Sequence, residues 1–304
     1  MSTRGLYSNI QNSLDKRFGG NPFTFFDRAY LVDWAASSLL WLAAWYIKGL
    51  PPFERDLSTK DDLIDHKHRP NQISGGVNWL IAFIVPIVLT VLAGLVRRSA
   101  LEMHHGVLAI YSGRGLTVFI TEALKNRVGR LRPDFLHRCK WDKELKACTG
   151  ELEKVMDGRR SFPSGHASTA FAGMTFLALY LAGLTGAWLL AQPAQGGSLL
   201  RSKLARLVLT LLPLGFATWV AVSRVEDYRH HKEDVIVGSL LGVVCATICY
   251  LIYWPNPFAP SQAFTARAVY GGADADSDRV RMPNPQRYGY ELTGLNEEHA
   301  EQSV

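Results

Sequence analysis

The sequence predicts an all-α integral membrane protein with six transmembrane helices. Three observations carry this: the grouping of its apolar residues, the length of each group, and the loops in which titratable residues collect. On average the 304 residues look ordinary, at 48% hydrophobic and 20% charged. The apolar residues are not spread evenly, however. They gather in blocks of about 20, the length at which a helix rising about 1.5 Å per residue crosses a hydrocarbon core of about 30 Å.

The segment 1–28 is polar and has no short apolar run before a small-residue cleavage site. It reads as a cytosolic N-terminal segment, with the first span acting as its own targeting signal. Span one runs from Tyr30 to Ile47, and a long loop bounded by prolines and glycines leads to span two, Val77 to Val96. Span three, Met103 to Leu124, carries Arg114 at its centre; a mid-membrane arginine is expected to face the bundle interior or water, not lipid. Spans four to six follow as His166 to Leu190, Leu204 to Val222 and Val235 to Trp254. The membrane domain therefore covers 29–254. Beyond it, 255–304 is rich in Pro, Gly, Ala and Asp without an apolar period, and reads as a mostly disordered cytosolic tail.

The net charge of +6 is scattered among membrane loops and forms no soluble basic patch. That argues against a nucleic-acid partner and for an anionic ligand or a membrane surface. Nothing in the pattern specifies an oligomeric state. Cys245 and Cys249 lie one helical turn apart in span six, as small packing residues. Cys139 and Cys148 bracket a polar loop; they are either free thiols or, if the loop faces an oxidising lumen, a disulfide.

Six spans place three polar clusters on one face. In "KNRVGRLRPDF", Lys125 and Arg132 are seven apart, so a helix continuing to Pro133 would put them on one side as an anion clamp. Membrane-flanking cations solvated by headgroups are the plainer alternative. In "SFPSGHAS", Ser164 suits an N-cap, and Gly165 lets backbone amides approach a ligand where span four begins. Helix starts attract phosphate, and His166 could hand a proton to a leaving oxygen. A capped helix with an interfacial histidine would look the same. In "SRVEDYRHHKED", His230 and Asp234 are four apart and could hydrogen-bond, leaving the other imidazole nitrogen free to attack; Arg224 adds a third cation. His231 points elsewhere and suits a structural or headgroup role.

Fixed cations, a helix start and two histidines suit phosphoryl transfer. A two-metal site would need a dense set of acidic and histidine ligands, so no catalytic metal or other cofactor is expected. The cations on this face outnumber those opposite, but a ligand site removes them from the positive-inside count, so both termini are expected in the cytosol.

These clusters, in this order and spacing, resemble the type 2 phosphatidic acid phosphatase family: Lys, six residues, Arg-Pro; Pro-Ser-Gly-His; and Ser-Arg, five residues, His, three residues, Asp. Every position matches. The resemblance implies a six-helix core with its motifs on the lumenal or extracellular face. It also implies a phosphohistidine at His230 oriented by Asp234, proton donation by His166, and phosphate binding by Lys125, Arg132, Arg224, Ser164 and the Gly165 amide, without a metal. "GRLRPDF" and "SRVEDYRHHKEDV" look most like lipid phosphate phosphatases, including those acting on phosphatidate and diacylglycerol pyrophosphate. A lipid phosphotransferase, a polyprenyl pyrophosphate phosphatase and a non-catalytic lipid-binding or transport protein are the alternatives. The two intact histidines and Asp234 argue against the last, since binding alone needs cations only.

Overall fold

The computed structural model describes residues 25–189, 201–259, 264–267 and 269–270. Six long helices dominate it: α1 (Ala29–Gly49), α2 (Gly75–Val96), α3 (Ala100–Val128), α6 (Gly165–Thr185), α7 (Lys203–Glu226) and α8 (Lys232–Tyr253). Two short helices, α4 (Phe135–Cys139) and α5 (Leu152–Gly158), flank a hairpin of β1 (Trp141–Asp142) and β2 (Ala147–Cys148) in the connection between α3 and α6.

Among the described residues, five helices are long and apolar enough to cross a membrane: α2, α3, α6, α7 and α8. This makes the chain a multi-pass membrane protein. Helix α1 has 21 residues but falls outside that group; Asp33, Ser37, Ser38 and several Trp and Tyr side chains dilute its hydropathy. Six spans were expected, and composition supports five. Span four also ends earlier than expected, because Gly186 takes the left-handed conformation (φ 62°) that caps α6. Leu190 lies outside the described residues.

Glycines set how closely the helices approach. Along α8, Gly238 and Gly242 face α6, where an added Cβ would come within 2.6 Å of the Ser164 carbonyl and 2.5 Å of the Ser168 carbonyl. Helix α2 passes through a π-type turn over Leu80–Ile84. Pro86 has no N–H to offer the Ala82 carbonyl, and that carbonyl instead sits against Gly173 of α6, where any side chain would overlap it. Between α3, α6 and α8 lies a core of Leu108, Phe176, Tyr180, Tyr250 and Trp254. Phe264 stacks on Trp254, and Tyr270 donates to Asp33 of α1, so these residues past α8 pack on the same core.

The opposite end of the bundle carries a smaller core. Ile64 from the α1–α2 connection joins Leu131, Phe135, Cys139 and Val155, and a Cys139–Cys148 disulfide closes the hairpin. Helix α3 was expected to run to Pro133. It stops at Gly129, where φ is 56° and the Phe53 carbonyl leaves no room for a side chain. Arg132 is consequently a loop residue, not a second helical prong.

Candidate active site

Four helix ends meet beneath this cap. The last turn of α3 brings Lys125, the first turn of α6 brings Gly165 and His166, the last turn of α7 brings Arg224, and the first turn of α8 brings Asp234. The α7–α8 turn is tight. Tyr228 takes a left-handed conformation (φ 55°) uncommon for a bulky residue, held by a stacked His66 ring at 4.2 Å and the Arg69 guanidinium at 4.6 Å. The Arg224 carbonyl then accepts from the amides of Arg229 and His230, which turns the His230 ring inward.

His230 is buried, and its Nδ1 lies 2.8 Å from the Ser161 carbonyl. A carbonyl can only accept, so Nδ1 carries the proton and Nε2 keeps its lone pair. Sequence spacing suggested that Asp234 would make this bond directly. Its carboxylate is instead 3.8 Å from Nδ1, outside hydrogen-bond reach, and works one step back. Asp234 is fully buried and accepts from Ser161 Oγ at 2.5 Å, the His231 amide at 3.0 Å and Arg130 at 2.7 Å. Its own carbonyl accepts from the Ser164 amide at 2.8 Å. Asp234 thus ties all three motif segments together. Burial pushes the His230 imidazole down to about 4; Asp234 opposes this, while Arg132 and Lys125 are near enough to reinforce it. The ring is neutral at pH 7. His231 caps α8, with Nε2 3.1 Å from the Leu131 carbonyl.

Each of the three cations is tethered to a carboxylate. Lys125 donates to Glu122 at 3.0 Å, and Glu122 also receives Arg160 at 2.8 Å. Arg132 donates through Nε and Nη2 to the carbonyl and carboxylate of Asp157. Burial alone would raise the Asp157 carboxyl, but Arg132 and Arg138 overcome it and hold the group at about 2, fully ionised. Arg224, with no exposed surface, binds Asp227 at 2.8 Å, Asn71 at 3.1 Å and Ser223 through two nitrogens.

Ser164 caps α6: its Oγ accepts from the Ala167 amide, which leaves its own O–H as a donor. The Gly165 and His166 amides have no backbone acceptor among the described residues, as the first turn of a helix dictates. Lys125 Nζ lies over this turn, so close that a Cβ on Gly165 would sit 2.9 Å from it. His166 is anchored through its carbonyl by Asn78 at 3.0 Å, while its Nε2 is buried without a partner among the described residues. A cavity of about 370 Å³ opens from Lys125, Gly165 and His166 and runs between α1, α3 and α6. Among the described residues, no group of three or more His, Cys, Asp or Glu is placed to hold a metal ion.

Comparison with known proteins adds the lineage. The family model described as the PAP2 superfamily matches residues 106–258, which contain every one of these side chains except His66, Arg69, Asn71 and Asn78 from the connection before and the start of α2. The chain belongs to the PAP2 superfamily. Within that superfamily it is 35% identical to lipid phosphate phosphatase 2 of Arabidopsis thaliana, over 77% of this chain and 80% of that protein. It is 33% identical to diacylglycerol pyrophosphate phosphatase 1 of Saccharomyces cerevisiae, over 69% and 76%. It is 32% identical to phospholipid phosphatase 1 of Rattus norvegicus, over 66% and 75%. No solved structure matches the chain.

All eight residues singled out from the PAP2 motifs lie at this end of the bundle: Lys125, Arg132, Ser164, Gly165, His166, Arg224, His230 and Asp234. Sequence reasoning missed the groups that hold them. Glu122 and Asp227 each stand three residues from the cation they bind, a helical spacing that could have found them. Asp157, Asn71 and Ser161 reach the site only through the fold.

Proposed function

We propose that this protein hydrolyses lipid phosphates, phosphatidate and diacylglycerol pyrophosphate among them, at the membrane surface through a phosphohistidine at His230. The observation that carries this reading is the His230 tautomer: Nδ1–H is given to the Ser161 carbonyl, leaving an Nε2 lone pair beside half-buried and buried cations and a helix start. Nε2 attacks phosphorus and the bond to the lipid oxygen breaks. His166 supplies the proton that the leaving oxygen takes up. Water then attacks the phosphohistidine, giving its proton to His166 and releasing inorganic phosphate. Lys125, Arg132, Arg224, Ser164 and the Gly165 amide hold the phosphoryl oxygens, and no metal takes part.

The catalytic unit covers 29–254. Its motifs face the lumen or exterior with both termini in the cytosol, a reading supported by the Cys139–Cys148 disulfide in the loop that carries Arg132 and Ser161. Purified His230→Ala protein is expected to release no phosphate from phosphatidate. The wild type should trap radiolabelled phosphate as an acid-labile adduct that the variant lacks. A folded His230→Ala protein with full activity would end this reading.

A further inference from the structure

One buried charge has no part in the chemistry above. Arg114 lies eleven residues before Lys125 on α3, about 16 Å nearer the middle of the membrane at the rise of an α-helix. Only 9% of it is exposed, and its Nε and Nη1 have no hydrogen-bond partner among the described residues. The flanking glycines explain its setting. Gly113 lets α8 approach at Cys249, and Gly115 makes room for Trp41 of α1, whose ring centre is 5.8 Å from the guanidinium.

Arg114 also lines the cavity that opens from Lys125, Gly165 and His166. Positions 114, 118, 121 and 125 fall on one face of α3, so phosphate site and Arg114 share one elongated space. The walls differ in character. Helix α1 contributes Trp41, Ala44 and Trp45 with Lys48, whereas α3 and α6 contribute Val118, Thr121, Ser168 and Thr169 besides the other charges. A groove for plain hydrocarbon would gain nothing from an arginine on its wall at that depth, and would bear the cost of burying it.

We propose that this cavity holds the chain of the lipid phosphate and that Arg114 binds an oxygen carried on that chain, a hydroxyl or a carboxylate, about 16 Å from the phosphate. Oxygenated lipid phosphates are then the preferred substrates. The phosphate end of this assignment rests on the phosphatase reading; the Arg114 end does not.

The test compares phosphate release by the full-length protein in mixed micelles from three phosphatidates. One chain is unsubstituted, carries a mid-chain hydroxyl, or ends in a carboxylate at the matching distance. Wild type is expected to favour at least one oxygenated chain by about tenfold or more in kcat/KM, the worth of a charge-assisted hydrogen bond. Which of the two it favours identifies the group. The ratio should fall toward one in Arg114→Met and survive in part in Arg114→Lys. Equal turnover of all three by wild type, or an unchanged ratio in Arg114→Met, overturns the proposal; if Arg114→Met does not fold, the wild-type comparison decides alone. Should no phosphatidate be hydrolysed at all, the phosphatase reading fails and binding decides the subsite. A phosphate-free hydroxy fatty acid and a phosphate-free dicarboxylic fatty acid are each titrated against fluorescence, with Trp41→Phe identifying the responding ring. Saturable quenching by either, lost in Arg114→Met, upholds the site, and its absence for both refutes it.

Discussion

Gly165→Ala separates the stability of this site from its chemistry. Gly165 is the first residue of α6 and has no unusual backbone conformation, so alanine there favours the helix by up to about 1 kcal/mol. The new Cβ would sit 2.9 Å from Lys125 Nζ and 3.7 Å from its Cε, with Thr121 Cγ2 at an ordinary 3.9 Å. Only the tip of a flexible side chain must move, at little cost to folding. That tip, however, is the ammonium above the turn proposed to bind phosphate. Losing its charge-assisted hydrogen bond removes about 1.5–3 kcal/mol of transition-state binding, or roughly 10- to 150-fold in kcat/KM. Phosphate release from phosphatidate gives the rate, and thermal unfolding in detergent gives the stability. A variant with unchanged Tm and unchanged kcat/KM would show that Lys125 does not act from above Gly165.

Four further outcomes follow from the same geometry. Ser161→Ala removes the hydroxyl that joins Asp234 but keeps the carbonyl that holds His230, so kcat should fall about tenfold with little change in KM; undiminished kcat would leave Asp234 no route to the imidazole. With His230 held at about 4, kcat/KM corrected for the substrate's own ionisation near pH 6 should show no acid-side fall between pH 7 and about 5, and a fall with its midpoint near 6.5 would contradict a buried neutral ring. The unfolded chain takes up this proton first, because its imidazole titrates near 6.5. Native stability from this group is therefore complete above about pH 6.5 and declines by about 3 kcal/mol as pH falls to 4, measurable as Tm against pH. Cys148→Ser opens a loop with a sequence separation of 9 and should cost about 2–3 kcal/mol, seen as a lower Tm than wild type under non-reducing conditions; equal Tm values would mean the thiols are unpaired in the protein.

The helices and the three motifs were legible because their signals are local. Apolar block length marks a span, and a Ser before Gly-His marks a helix start; the four-residue spacing of His230 and Asp234 suggested a direct bond, but His230 lies before α8 and the bond goes to Ser161 instead. What escaped was whatever depends on chain meeting chain. The end of α3 at Gly129 is set by Phe53, more than 70 residues earlier in sequence, and nothing in "RVGRLRP" announces it. Ser161 orients His230 through its carbonyl, a group every residue possesses, so no residue type could advertise the role. The cysteine pair stayed open for a similar reason. Spacing permits a bridge, but only the hairpin of β1 and β2 brings the two Cα atoms to 4.7 Å.

The tethers explain how a cluster of cations can wait at the rim of a membrane for a dianion. Unpaired, Lys125, Arg132 and Arg224 would repel one another strongly in a medium of low dielectric. Glu122, Asp157 and Asp227 each neutralise one of them, and the pairing leaves different capacities behind. Lys125 spends one of its three donors on Glu122, and Arg132 keeps Nη1 clear of its bonds to Asp157. Arg224 is different: Ser223, Asn71 and Asp227 take four of its five guanidinium donors. It can offer one new hydrogen bond at most, so its main contribution is a charge locked in place under the α7–α8 turn. A bound phosphoryl group would accordingly be gripped by Lys125, Arg132 and the α6 amides, while Arg224 lowers the energy of charge building on its oxygens without moving. Fixed dipoles and charges of that kind need no reorganisation when the bond between phosphorus and the lipid oxygen breaks.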